Sequence, residues 1–261
     1  MRLLETTPLF IIGLVILALM LAGVELGYRG QGWLRRNQDR TEAGKGGQDH
    51  LLSAVLGLLA LLLGFTFSMA LDRYEARRDL VLQEANAIGT TWLRTRLLEE
   101  PNRAAMSGLL RAYVDARLAW SETGASKADL AQTEALQQKL WTVTGAAMRT
   151  DPSPQLSRGV MDAMNQSFDL ASARTAARLA HIPGHVLGIL LLFAALSAVM
   201  LGYILADNGK PHRIATMLLL VLLTLALDAI LDLDRPRSGG IQVSQQPLDD
   251  LRGSIAADRS P

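Results

Sequence analysis

Four stretches of the chain carry almost no charge over the length of a bilayer crossing. They run from Pro8 to about Leu26, from Leu51 to Leu71, from Pro183 to Ala206 and from Ile214 to about Leu231. A hydrocarbon core is about 30 Å thick and a helix rises about 1.5 Å per residue, so about 20 apolar residues span it. Helices at the surface of a soluble core keep a polar face, and these stretches have none. The pattern predicts an all-α integral membrane protein with four transmembrane helices in two pairs. The first stretch reads as a retained helix rather than a secretory signal. Arg2 alone supplies positive charge before it, Glu5 offsets that charge, and no Ala-x-Ala site follows.

The spans divide the chain into 1–71, a first helix pair; 72–182, a water-exposed helical domain; 183–233, a second helix pair; and 234–261, a tail. Charges return in the middle part, where three to four helices fit. The first continues the second membrane helix. Tyr74, Val81, Ala85, Ile88 and Trp92 recur at helical spacing, with Arg78 filling the missing step. It breaks near Glu100-Pro101. A second helix places Met106, Leu109, Leu110, Tyr113 and Val114 on one side. After a turn at 122–125, Ser126 reads as an N-cap with Asp129 in capping-box position. That helix carries Leu130, Leu140, Trp141 and Met148, and Asp151-Pro152-Ser153-Pro154 stops it. A last helix with Leu156, Val160, Met164, Phe168 and Ala171 leads into the third span. About 110 residues of this kind make only a small bundle, so packing partners from other subunits are expected.

Composition adds exclusions. The net charge of +1 across 261 residues gives no field that would hold nucleic acid. Cysteine is absent, which removes disulfides, thiolate metal sites and Cys nucleophiles. Serine-nucleophile elbows, paired His-Glu zinc motifs and dinucleotide fingerprints are absent too, so the sequence does not read as an enzyme. Lys and Arg are balanced between the two sides of the spans, and the positive-inside rule sets no orientation.

In lipid, helices associate by close van der Waals packing, which small residues permit. The second span has Ser53, Gly57, Ala60, Gly64 and Ser68 on one face; the third has Gly184, Gly188, Ala195, Ala198 and Gly202 near one face. These stripes predict tight packing of the two helices, against each other or against neighbouring subunits. A pore lining is the second reading for the second helix, with Phe65 and Phe67 as candidates for a hydrophobic constriction. Arg73, Glu75, Arg77 and Arg78 form a charged cuff where this helix leaves the membrane. It is either a solvated helix end or a pore mouth that raises local anion concentration.

Asp228 lies inside the fourth span, where a carboxylate must turn toward protein or water. Asp232 is one turn on and Asp234 follows. The three acids are candidates for an ion pathway or a cation site; the alternative is pairing with an arginine such as Arg73 or Arg77. Calcium wants about six to eight oxygens, which these acids alone do not supply, so no cofactor is expected beyond a low-ranking Ca²⁺ candidate. His181 and His185 are separated by Pro183-Gly184 and do not make a regular metal pair.

The segment GLLALLLGFTFSMALDRYEARR from Gly57 to Arg78 continues as Glu84-Ala85-Asn86-Ala87-Ile88-Gly89 and Arg94. The tail has Leu231-Asp232-Leu233-Asp234-Arg235-Pro236, then Val243-Ser244 and Pro247-Leu248. Together these phrases resemble the bestrophin-like family of uncharacterised membrane proteins, distantly similar to bestrophins. Gly64-Phe65 and Arg73-Tyr74-Glu75-Ala76-Arg77 stand where bestrophins have similar phrases. The Asn-Pro-Phe-Gly motif, the second aromatic after the Arg and the acidic calcium-clasp run are missing here. The resemblance implies a homo-oligomer, a pentamer if bestrophin-like, with cytoplasmic termini and middle domain in the cell membrane. It also implies inorganic ions as cargo and a pore lined by the second helix. Two functions follow as expectations: an anion-leaning ion channel, and a non-conducting membrane-anchored scaffold or signalling module.

Overall fold

The structure is a computed structural model of the chain, and it describes residues 7–35, 45–122, 126–150, 153–207, 213–236 and 239–258. Among these there are eight helices and no strand: α1 (Leu9–Arg35), α2 (Lys45–Thr95), α3 (Asn102–Glu122), α4 (Lys127–Thr150), α5 (Pro154–Leu179), α6 (Gly184–Asp207), α7 (Arg213–Asp234) and α8 (Gln246–Ala257). Four stretches are long and apolar enough to cross a membrane. The chain forms two compact units. The first comprises Met1–Tyr74 and His181–Gln242, the second Glu75–Ala180 and Val243–Pro261.

The first unit is the membrane unit. Its core gathers Ile12, Ile16 and Met20 of α1, Leu59 and Ala70 of α2, Leu190, Ala194 and Ala198 of α6, and Leu220, Leu227 and Ile230 of α7. The opposite faces keep large apolar side chains exposed, such as Phe10, Leu14, Leu192, Leu196, Leu218 and Leu222. Such faces are stable in hydrocarbon and not in water. Hydroxyls within the spans return to their own helix. Thr66 donates to the Leu62 carbonyl at 2.7 Å, Ser197 to Phe193 at 2.8 Å and Thr224 to Leu220 at 2.8 Å. No buried hydroxyl of these three is left unpaired in lipid.

The tightest helix contact in this unit is α1 with α6. A Cβ on Gly27 would collide with the Val199 carbonyl, and one on Gly202 with the Val24 carbonyl; one on Gly23 would lie 3.2 Å from the Ala195 carbonyl. The backbones therefore touch. The small residues Ala195, Ala198 and Gly202 of the third span do pack closely, but their partner is α1 and not the second span. Gly184 and Gly188 are exposed. The signal for the partner was Gly23 and Gly27, one turn apart on α1.

The second unit buries Val81, Ala85, Ile88 and Trp92 of α2 against Met106, Leu110 and Tyr113 of α3, Leu136, Leu140 and Ala147 of α4, Val160 and Met164 of α5, and Leu248 and Ile255 of α8. Arg77 is buried and Arg78 is exposed, so Arg77 fills the step before Val81 that the sequence suggested for Arg78. On α4 the core face runs through Leu136, Leu140 and Ala147, while Trp141 and Met148 are exposed. The cap of α4 is as expected. Ser126 Oγ accepts from the Asp129 amide at 3.2 Å, and Asp129 Oδ2 accepts from the Ser126 amide at 3.1 Å. The turn at 123–125 and the stop at Asp151-Pro152 lie outside the described residues. The tail does not trail away: Trp92 Nε1 donates to Asp258 at 3.1 Å and Arg96 pairs with the same carboxylate.

Gly202→Leu places a side chain where the Val24 carbonyl stands, and backbone cannot give way as a side chain can. The cost is expected at or above the top of the about 1–3 kcal/mol typical of overpacking, read as a fall in melting temperature of the detergent-purified protein. Gly57→Ala meets nothing within 4 Å and is expected to leave that temperature unchanged.

Candidate functional site

The membrane portion of α2 has two unlike faces. Leu59, Thr66 and Ala70 are buried in the membrane unit, with Leu62, Leu63 and Met69 half-buried beside them. The other face carries the predicted small-residue stripe, and Ser53, Gly57, Ala60, Gly64 and Ser68 are all exposed. A Cβ built on Gly57 or Gly64 would meet open space. Phe65 and Phe67 flank the stripe and are 67% and 42% exposed. Small residues are not needed on this face for packing within one chain.

The predicted cuff separates by burial. Glu75 and Arg78 are exposed, Arg73 is half-buried and Arg77 is buried. The Nε of Arg73 is enclosed without a hydrogen-bond acceptor.

The three acids of the fourth span go to three different neighbours. Asp228 lies against Gly13 of α1, where a Cβ would overlap its carboxylate, and its Oδ1 is enclosed without a hydrogen bond. Asp232 accepts from the amides of Gly240 at 2.9 Å and Ile241 at 3.2 Å, so it organises the turn after α7. Asp234 accepts from the Ile182 amide at 2.8 Å and sits 3.5 Å from His181 Nδ1. Arg235 beside it donates to the Thr7 carbonyl at 2.9 Å. Among the described residues no three His, Asp or Glu side chains converge as metal ligands.

The densest polar arrangement was not singled out from the sequence. In the second unit Glu84 is fully buried and its two oxygens bind two guanidiniums, Arg117 at 2.5 Å and Arg174. Arg174 also donates to Gln245. Burial pulls the Arg174 guanidinium below its ordinary value and Glu84 pulls the other way. Trp120 lies under Arg117, Arg174 and Arg178, whose guanidinium carbons are 4.4, 5.1 and 4.6 Å from its ring centre. Its indole nitrogen is buried without an acceptor, a loss of about 1–3 kcal/mol for a donor taken out of water. Nearby, burial pushes the Tyr113 phenol up to about 12, against the pull of Arg117. Its oxygen accepts from Gln137 at 3.1 Å. The available signal was register. Glu84 falls on the same face as Val81 and Ile88, Arg117 one turn after Tyr113, and Arg174 one turn after Ala171.

This geometry defines a four-span membrane protein with a separate helical unit built on a buried charge cluster. A family profile for the Bestrophin-like domain matches residues 12–248. The chain belongs to the bestrophin-like family. No curated protein matches it by sequence. Solved structures share its fold. A bacterial bestrophin homologue from Klebsiella pneumoniae is 16% identical with a TM-score of 0.67, covering 93% of this chain and 95% of its own. A point variant of that homologue is 17% identical with a TM-score of 0.69, covering 96% of each chain. A crystal structure described as a membrane protein is 14% identical with a TM-score of 0.72, covering 94% of this chain and 97% of its own.

Glu84→Gln leaves two buried guanidiniums with no carboxylate, and stability is expected to fall by about 3–5 kcal/mol, as for other broken buried pairs, measured by thermal unfolding. Tyr113 makes a second prediction. Its folded value is raised, so the stability it contributes is complete below about pH 10 and is lost as pH rises toward about 12. Tyr113→Phe is expected to remove that part of the alkaline decline in melting temperature.

Proposed function

We propose that the protein is an oligomeric, anion-conducting channel of the cell membrane, a pentamer in which the α2 helices surround the axis. The observation that carries this reading is the exposed face of α2. Within a membrane, a stripe of Ser53, Gly57, Ala60, Gly64 and Ser68 that one chain leaves uncovered must meet lipid, another subunit or water. Small and hydroxylated residues gain little from lipid tails. They suit a narrow aqueous path, and Phe65 and Phe67 beside them suit a constriction that gates by dewetting. In this reading Arg73, Glu75, Arg77 and Arg78 line the approach, and the arginines favour anions there. The termini and residues 72–182 face the cytoplasm. Asp232 and Asp234 accept from backbone amides at the end of α7.

Purified protein in chloride-loaded liposomes is expected to release the anion. Phe65→Ala and Phe67→Ala are expected to raise the rate several-fold if the rings form the constriction, with oligomer size unchanged by size-exclusion. An intact oligomer that passes neither anions nor cations at any voltage would overturn the channel reading in favour of a non-conducting scaffold.

A further inference from the structure

The second unit leaves large apolar side chains outside in two places. On α4 Trp141 is 46% exposed, and Met148, two turns on, is exposed as well. Between α2 and α8 lies an open groove of about 690 Å³, with Leu82, Gly89 and Leu93 on one wall and Pro247, Asp250 and Leu251 on the other. Leu82 and Leu93 are 50% and 67% exposed. A Cβ on Gly89 would lie 3.3 Å from Leu251, so α8 sits close against α2 there. Lipid does not cover either place. Exposed Arg78 and Asp79 precede Leu82, and exposed Lys139 and Arg149 flank the α4 pair, so neither belongs to a charge-free run of bilayer length. The chain does not cover them itself, since both stay exposed in its own fold. Clustered apolar surface of this kind marks a protein contact.

A second copy of the chain fits by length and by charge. At about 1.5 Å per residue, Trp141 to Met148 spans about 10 Å of helix and Leu82 to Leu93 about 16 Å, so the strip fits within the groove. The Arg149 guanidinium folds back along α4 toward Gly145, between the two apolar residues of the strip. On the groove wall Asp249 is taken by Arg252, and Asp250 has no ion pair among the described residues. We propose that the α4 strip of one copy docks in the α2–α8 groove of the next, with Arg149 facing Asp250. Strip and groove are unlike, so the contact is heterologous: each copy gives one and receives one, and repetition closes into a ring. Trp141 and Met148 supply the affinity and the charge pair sets the register. The inference rests on the oligomer proposed above and not on conduction.

The chain has no cysteine, so introduced thiols report alone. Met148→Cys is combined with Leu82→Cys or with Leu93→Cys in the full-length protein in detergent, and a short bismaleimide is added at high dilution. The substituted side chains are exposed, and melting temperature confirms that each variant folds. One of the two combinations is expected to give a ladder of covalent dimers, trimers and higher species up to the full ring. Each single-cysteine variant is expected to stay monomeric on the denaturing gel, because a head-to-tail contact does not bring one position against itself. Trp141→Ala added to the responding pair is expected to slow crosslinking about tenfold. Asp250→Arg is expected to slow it and Arg149→Asp to restore it. A dimer from a single variant overturns the docking, as does the absence of a ladder from both combinations while light scattering shows an intact oligomer; the channel reading then stands. A ladder without ion flux keeps the docking and removes the channel. A protein that is monomeric by light scattering overturns both.

Discussion

Inside hydrocarbon a peptide group has no water to turn to, and apolar side chains gain nothing by choosing a protein neighbour over a lipid tail. What remains to hold helices together is closeness. The membrane unit meets this constraint at one crossing, where Gly23 and Gly27 of α1 meet Ala195, Ala198 and Gly202 of α6 with backbone against backbone. The other contacts in the unit are made by larger side chains, among them Leu59 and Ala70 of α2 and Leu220, Leu227 and Ile230 of α7. The α1–α6 crossing uses up the requirement for small residues within one chain. The similar stripe on α2 is uncovered within one chain and therefore needs a different explanation, of which the proposed water-filled path is one and contact with another subunit a second.

The second unit answers to the opposite rule. Its helices bury their apolar faces against one another, and any charge taken inside must bring its own partner. Glu84 does so by holding a guanidinium on each oxygen, tying α2 to α3 and α5, while Arg174 reaches on to Gln245 beside α8. Replacing such a cluster by hydrocarbon is often neutral or stabilising, whereas removing one member is not. Trp120 serves as the floor on which the guanidiniums lie.

Much of this was legible because the signal was one-dimensional. Charge-free runs of membrane length identify spans without any knowledge of neighbours, and the Ser126–Asp129 cap is a local motif three residues long. What was not legible depended on partners. Small residues at Ala195 and Gly202 announce a close approach but not toward which helix. Trp141 and Met148 are apolar and share helical spacing with Leu140 and Leu130, yet the core takes Leu136, Leu140 and Ala147 on a face turned slightly away. Glu84, Arg117 and Arg174 were invisible for a physical reason: a charge on an apolar stripe reads as an interruption until two further helices bring its counter-charges. Asp228, Asp232 and Asp234 share a helix end in sequence, but Gly13, the 240–241 amides and the Ile182 amide draw them apart.

The bond from the Ile182 amide to Asp234 has a bearing on biogenesis. Pro183 has no amide hydrogen, so the chain just before α6 has few ways to satisfy its backbone, and the acceptor it uses is made 52 residues later. A ribosome releasing this chain delivers the third span to the translocon well before the carboxylate that finishes its entry exists. The first turn of α6 closes locally, with the Val186 amide on the Pro183 carbonyl at 2.9 Å, and the Ile182 amide before it gains its acceptor only once α7 is in place. The Ile182–Asp234 bond thus ties the entry of the third span to the end of the fourth.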